Sequence, residues 1–337
     1  MALTTSQILA LQTFKGVGPK SILKVGNSVS DMVGTSELLR ALTKCSVKKK
    51  NPDGSGRVPI TATDLDEALK TAQEIIDRAK TNQIGLISYY EQDFPSSLRH
   101  IKSKDDKTEE PAILLFYKGD LNALKCPGLA VIGTRNNTAN AQKAGLYLST
   151  EFARRGFCIV SGLAEGCDTI AHRGALNAGG KTIAFLGHGL DSVYPPSNKD
   201  LAEEILLNGG LLLSEYDVGT PVTKYNLVAR DRLQSGLALA TLVIQTSVNG
   251  GSMHAARVCL NSGKPLFVVK YSDKETDSAE QTQGNHKLAK EAGAAYIKGT
   301  DDLDVIADKI LNSGTSMQMC QNNFDDSFIN AKALASA

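Results

Sequence analysis

Four turns along this chain combine glycine with small polar or basic residues, and each follows a short apolar run. Gly133-Thr134-Arg135 follows Ala130-Val131-Ile132, and Ser161-Gly162-Leu163-Ala164-Glu165-Gly166-Cys167-Asp168 follows Phe157-Cys158-Ile159-Val160. Gly187-His188-Gly189-Leu190-Asp191 follows Thr182-Ile183-Ala184-Phe185-Leu186, and Thr246-Ser247-Val248-Asn249-Gly250-Gly251-Ser252 follows Leu242-Val243-Ile244. The chemistry such turns support is anion binding. Glycine admits a phosphate close to the backbone, N–H groups at the start of a following helix donate to it, and Arg135 adds a forked charged donor. Plain strand-to-helix packing fits any one of these turns equally well. Several of them on equivalent strand ends would converge on one crevice, which favours a shared ligand.

The most basic stretch of this part is Lys224-Tyr225-Asn226-Leu227-Val228-Ala229-Arg230-Asp231-Arg232. Lys224, Arg230 and Arg232 suit a run of phosphates, and Tyr225 offers a ring for a base. A solvated loop with an Arg–Asp–Arg salt bridge is the competing reading. Asp168 and His172 lie four residues apart on one helix face, the spacing of a general acid–base pair. No nucleophile accompanies them, so a structural role is favoured. The five histidines form no metal-ligand pattern, and neither a metal nor a cofactor is expected.

The elements that must position these turns are buried strands alternating with helices, from about residue 111 to about 310. The expected class is α/β with a mostly parallel sheet. Residues 1–83 read as a small helical domain. Within it, Phe14-Lys15-Gly16-Val17-Gly18-Pro19-Lys20 resembles a helix-hairpin-helix turn that meets a phosphate, or forms a tight turn without a ligand. Lys44 to Arg57 reads as an exposed basic loop, Ala62 to Thr81 as an amphipathic helix, and Tyr89 to Leu98 with Lys102 to Glu110 as linker or surface loop. Residues 84–310 form the α/β domain, and 311–337 read as a polar tail.

Composition bounds the rest. The 337 residues are 42% apolar and 22% charged, with a formal net charge of +1. Those values are ordinary for a globular protein and lend no whole-chain basic excess to nucleic-acid binding. The amino-terminal piece to Arg57 is locally basic. The six scattered cysteines contain no C-x-x-C pair, pointing to a reducing compartment without a disulfide framework or zinc site. With no apolar segment approaching a membrane span and no leader pattern, a cytoplasmic protein is expected.

Taken in order, these motifs resemble the DNA-processing protein A (DprA/Smf) family over about residues 85–310. The resemblance rests on Val131-Ile132-Gly133-Thr134-Arg135, the Ser161 to Asp168 run, Ala171-His172 with Gly174-Ala175-Leu176, and Leu186 to Asp191 with Tyr194-Pro195. Leu213-Ser214-Glu215-Tyr216, Arg230-Asp231-Arg232, Gly251-Ser252, Gly284-Asn285-His286 and Gly293-Ala294 continue it. The resemblance implies an extended Rossmann-like fold preceded by a helix-hairpin-helix or SAM-like domain. It implies a homodimer that binds and protects single-stranded DNA, assists loading of a RecA-type recombinase in natural transformation, and is not an enzyme. The binding residues it implies are Gly133, Thr134, Arg135, Ser161, Gly162, Lys224, Arg230, Arg232, Gly251 and Ser252. This chain departs from the family where F-P-x-R-N-R becomes Leu227-Val228-Ala229-Arg230-Asp231-Arg232, losing the stacking aromatic and gaining a carboxylate. S-G-S-x-x-T-A likewise becomes Gly250-Gly251-Ser252-Met253-His254-Ala255-Ala256, and too few residues follow position 310 for a winged-helix domain.

Two alternatives remain. A nucleotide hydrolase related to LOG-type phosphoribohydrolases needs a glutamate at the helix start after Gly251, where this chain has none. A nucleotide sensor would use the same turns for a single ligand.

Overall fold

Runs of apolar residues without polar alternation are the mark of strands covered on both faces. In a computed structural model, which describes residues 3–29, 34–105 and 108–314, those runs form a nine-stranded sheet. In chain order the strands are β1 (Lys48–Lys50), β2 (Arg57–Pro59), β3 (Gly85–Ser88), β4 (Leu114–Gly119), β5 (Gly128–Ile132), β6 (Cys158–Ser161), β7 (Thr182–Leu186), β8 (Leu211–Ser214), β9 (Ala240–Val243), β10 (Leu266–Val269) and β11 (Ala295–Ile297). The large sheet has the order β11-β10-β9-β5-β6-β7-β8-β4-β3. It is parallel from β11 to β8, and β4 and β3 close one edge antiparallel, giving the mostly parallel α/β class expected. β1 and β2 pair as a separate hairpin.

The helices are α1 (Thr5–Thr13), α2 (Pro19–Asn27), α3 (Thr35–Lys44), α4 (Ala62–Thr81), α5 (Ser96–Arg99), α6 (Ala139–Arg154), α7 (Cys167–Asn177), α8 (Lys199–Leu207), α9 (Lys224–Leu237), α10 (Ser252–Asn261), α11 (Lys274–Ser278), α12 (Gln283–Ala292) and α13 (303–314). Successive strand residues divide between the two faces. Leu129, Val131, Ile159 and Leu242 pack with Leu148 and Phe152 of α6 and with Ala171 and Ala175 of α7. On the other face Val160, Ile183 and Phe185 meet Leu233 and Leu237 of α9, while Ile132, Val243 and Val268 meet Met253 and Ala256 of α10. The N-terminal helices join this body through one apolar cluster, in which Ile8, Ile22, Leu38 and Leu65 pack with Phe116, Leu186 and Leu212. An Arg78–Asp217 ion pair adds a polar tie between α4 and the loop after β8.

Three stretches differ from the sequence expectation. The basic stretch read as a loop from Lys44 to Arg57 contains the β1–β2 hairpin, with Lys49 paired to Asp64 of α4. Its polar strands carry no apolar alternation to announce them. The stretch read as a linker at Tyr89 to Leu98 is held down, since Phe94 and Leu98 are buried and the Arg99 guanidinium donates to the carbonyls of Tyr89 and Glu91. Helix α13 carries the chain past position 310, whose isoleucine is buried, to residue 314, and the rest of the polar tail lies outside the described residues.

Candidate nucleic-acid interface

The chain runs outward from β5 through β6, β7 and β8, then crosses back to place β9 on the other side of β5. Loops leaving the carboxyl ends of β5 and β9 therefore diverge, and a crevice opens between them. A cleft of about 780 Å³ lies there. The loop after β5 contributes Gly133, Thr134, Arg135 and Asn136, and the loop after β9 contributes Gly250, Gly251 and Ser252. Helix α9 closes one side with Lys224, Leu227, Arg230 and Asp231, and Tyr194 enters from the loop after β7. A small adjoining recess adds Gly162 and Glu165.

The two main loops are locked together. The Thr134 N–H donates to the Gln245 carbonyl at 2.7 Å, and the Gln245 side chain accepts from the Thr138 N–H at 2.9 Å. Asn285 fixes the far side, accepting from the Thr246 N–H at 3.0 Å while its amide donates to the carbonyls of Ile244 and Val269. The Gly284-Asn285-His286 motif thus buttresses the rim.

At the β9 loop the backbone is open to a ligand. Gly251 caps α10 without a side-chain hydrogen bond, and a Cβ placed there would meet nothing within 4 Å. Among the described residues the N–H groups of Gly251 and Ser252 have no protein acceptor. Unpaired N–H groups at the positive end of a ten-residue helix favour a nearby anion. Arg135 and Lys224 are exposed and lie on the same cleft.

The loop after β6 is built differently. Asp168 is buried, and its carboxylate accepts from the backbone N–H of Ala164 at 3.3 Å. Burial raises the Asp168 pKa, with Arg230 opposing. An amide of this loop is thus occupied by the protein's own carboxylate. Ser161, expected to bind nucleic acid, is fully buried and donates its hydroxyl proton to the Val131 carbonyl at 2.7 Å. Arg230, also expected on phosphate, is 3% exposed. Its guanidinium donates to the Gly162 carbonyl at 2.6 Å and to that of Phe185, with Asp231 3.2 Å from its Nε. Burial lifts the Asp231 carboxyl to about 7 against the opposing pull of Arg230.

Arg232 points elsewhere. It is held in a two-pronged ion pair by Glu215, at 2.8 and 2.9 Å, and with Tyr225 it lines a separate groove on the other side of α9. Arg230 and Arg232, two residues apart, project about 200° apart around α9. Gly187 lets this helix pack closely, because a Cβ there would come within 3.0 Å of the Asn226 and Leu227 backbone. Gly133 is likewise needed for packing, since a Cβ would overlap Cys167 and approach the Gln245 carbonyl at 2.9 Å.

The candidate acid–base pair is structural. His172 is buried with its Nδ1 2.7 Å from the Thr182 hydroxyl, and burial drives its pKa to about 3. The sequence reading used Tyr194 only as part of the Tyr194-Pro195 motif and not as a binding residue, and the structure places it with Leu227 on the cleft wall. Among the described residues no three His, Cys, Asp or Glu side chains converge as metal ligands, and no helix is long and apolar enough to cross a membrane.

The sequence pattern of the family described as DNA recombination-mediator protein A matches residues 85–307. Protein Smf of Escherichia coli is 38% identical over 155 residues, covering 46% of this chain and 41% of that protein. DNA processing protein DprA of Streptococcus pneumoniae is 37% identical over 195 residues, covering 57% of this chain and 66% of that protein. The chain therefore spans less than two thirds of the length of either relative. The X-ray structure of DprA from S. pneumoniae superposes with a TM-score of 0.70 at 29% identity, covering 91% of this chain and 98% of that one. A Helicobacter pylori DNA processing protein A, whose structure concerns its single-stranded DNA binding mode, superposes with a TM-score of 0.57 at 30% identity over 68% of this chain and 96% of that one. Fold, motif order and these likenesses agree, and the chain belongs to the DNA recombination-mediator protein A family.

Proposed function

We propose that this protein is a single-stranded DNA-binding recombination mediator whose strand runs through the cleft between the β5 and β9 loops. The observation that carries the reading is the open amino end of α10 facing exposed Arg135 and Lys224 across the cleft at the sheet's switch point. One phosphate sits on the N–H groups of Gly251 and Ser252 with the Ser252 hydroxyl, and Arg135 and Lys224 take its neighbours. Tyr194 stacks a base, an interaction worth about 1–3 kcal/mol. Gly133, Thr134 and Gly162 shape the walls, and Arg230 holds the floor from beneath.

The chain acts by binding and not by catalysis. Asp168 is committed to the Ala164 amide and His172 to Thr182, so neither is free to move a proton for a substrate. The H. pylori relative, whose structure concerns single-stranded DNA binding, supports a strand over a mononucleotide. Protection of the strand, delivery to a RecA-type recombinase, dimerisation and a cytoplasmic setting belong to the same proposal, carried over from the resemblance to the family.

The test is fluorescence anisotropy with labelled oligo-dT of graded length at low and high salt. Single-strand binding predicts affinity that rises with length and falls with salt, and Arg135→Ala and Tyr194→Ala weaken it. Saturation by one nucleotide, with no gain from length, would instead establish a nucleotide sensor.

A further inference from the structure

The cleft makes no use of the basic N-terminal piece, whose charges the fold gathers on one ribbon. The β1–β2 hairpin leans on the turn that precedes α2. The Lys50 N–H donates to the Lys15 carbonyl at 2.7 Å, and the Lys50 stem lies over Gly16, where a Cβ would come within 2.9 Å of it. Lys49 and Val58 share one face of the hairpin, and Lys49 pairs with Asp64 of α4. Lys48, Lys50 and Arg57 share the opposite face, and all three are exposed. Residues 15–20 and 48–59 together hold six cations and one carboxylate. Lys49 is matched by Asp64, and Lys20 faces a groove that also holds Asp105, Glu109 and Glu110. That leaves Lys15, Lys48, Lys50 and Arg57 against Asp53, whose carboxylate already accepts from the Ser55 N–H and hydroxyl at 2.8 and 2.6 Å. Lys50 and Arg57 stand directly opposite each other. Because the Lys50 N–H turns away to Lys15, this is the kind of pair whose side chains come closest. Like charges so placed destabilise a ribbon, and two strands alone are marginal to begin with. Among the described residues no carboxylate pairs with either charge to relieve the repulsion.

We infer that the outward face of the β1–β2 hairpin, with Lys15 beside it, is a second nucleic-acid site that holds the phosphate backbone of a duplex. Charge calls for an anion, and the absence of apolar groups selects which one. Among the described residues every exposed large hydrophobic side chain lies at or beyond Leu146, so the N-terminal part offers none. Single-strand platforms add aromatic rings for the bases, protein hot spots need buried aromatic anchors, and membrane surfaces need an apolar face to insert. A duplex needs none of these. It turns its bases inward, presents dense phosphate charge outward, and has a major groove that admits a two-stranded ribbon. The inference goes beyond the cleft and does not depend on a strand there.

The experiment is anisotropy over a salt series with two short labelled duplexes of unrelated sequence and with oligo-dT. It compares the full chain with Lys50→Gln/Arg57→Gln and with Lys70→Gln/Lys80→Gln on the exposed face of α4 as a charge-matched control. The hairpin variant should lose affinity equally for both duplexes, its salt slope falling by about 1.8 for two phosphate contacts. It should bind oligo-dT like wild type, and the control should lose neither. Removing the opposed charges relieves a repulsion, so the melting temperature of the hairpin variant should not fall. A wild-type protein that binds no duplex, an unchanged slope, a loss matched by the control or a lowered melting temperature would each overturn the site. Tighter binding of poly-glutamate than of duplex would overturn it in favour of an acidic protein partner. Duplex binding without oligo-dT binding would strike the cleft reading and leave the hairpin site standing.

Discussion

The loops after β6 and β9 look alike in sequence, each a glycine turn opening a helix, yet they are filled in opposite ways. After β6 the protein supplies its own anion and its own cation, with Asp168 on the Ala164 amide and Arg230 on the Gly162 carbonyl. After β9 the α10 amides are left without a partner and Gly251 has open space above it. A glycine turn at a strand end therefore does not identify a ligand site. What distinguishes the two is whether a buried side chain has already satisfied the turn, and a buried polar group is kept only when satisfied.

Replacing Arg230 should break the closed turn most severely. Arg230→Met leaves Asp168, Asp231 and two carbonyls without their cation, and loss of one buried partner costs about 3–5 kcal/mol. Urea unfolding should show that loss, and near-wild-type stability would return Arg230 to the role of a phosphate donor. A smaller contrast separates the two glycines. The Cβ of Gly162→Ala would overlap the Arg230 guanidinium, an overpacking of about 1–3 kcal/mol, whereas Gly251→Ala should shift stability by less than about 1 kcal/mol. Thermal melts of the pair would erase the contrast if the two shifts were equal.

Arg135→Ala should leave the melting temperature almost unchanged, as exposed substitutions do, while lowering the salt slope of oligo-dT binding by about 0.7. An unchanged slope would remove Arg135 from the strand. The finest test is pH. Burial lifts the Asp231 carboxyl from 3.8 to about 7, so the folded protein holds a proton there that the unfolded chain has released. Charging Asp231 therefore costs stability as pH rises from about 4 to about 7, and the full cost is in place above that. Against Asp231→Asn, wild type should lose melting temperature across that window. Its affinity for oligo-dT should also weaken through pH 7, because a carboxylate then faces the phosphates, while the asparagine variant stays flat.

Much of this architecture was legible from residue types. Parallel strands covered on both faces read as unbroken apolar runs, and Leu266 to Val269 or Thr182 to Leu186 could be little else. The helix from Ala62 to Thr81 was carried by its apolar spacing. The site was legible only in part. That Lys224 faces the cleft while Arg232 faces away depends on how α9 is turned against the sheet, a helix that Gly187 lets approach closely from a distance in sequence. The engagement of the Ala164 amide by Asp168 is a tertiary event, as is the arrival of Tyr194, and neither leaves a local signature.

The pairing of β5 with β9 carries a consequence for how the protein is made. The cleft's two walls come from strands that meet only after β6, β7, β8 and α9 have all been laid down between them. Chains are synthesised from the amino end, and contacts distant in sequence close late. A nascent chain that has reached Leu237 already owns Arg135 and Lys224 but has no α10 to oppose them. On the proposed reading, competence to hold a strand thus arrives with the last third of the sheet, and a half-made molecule presents no complete groove.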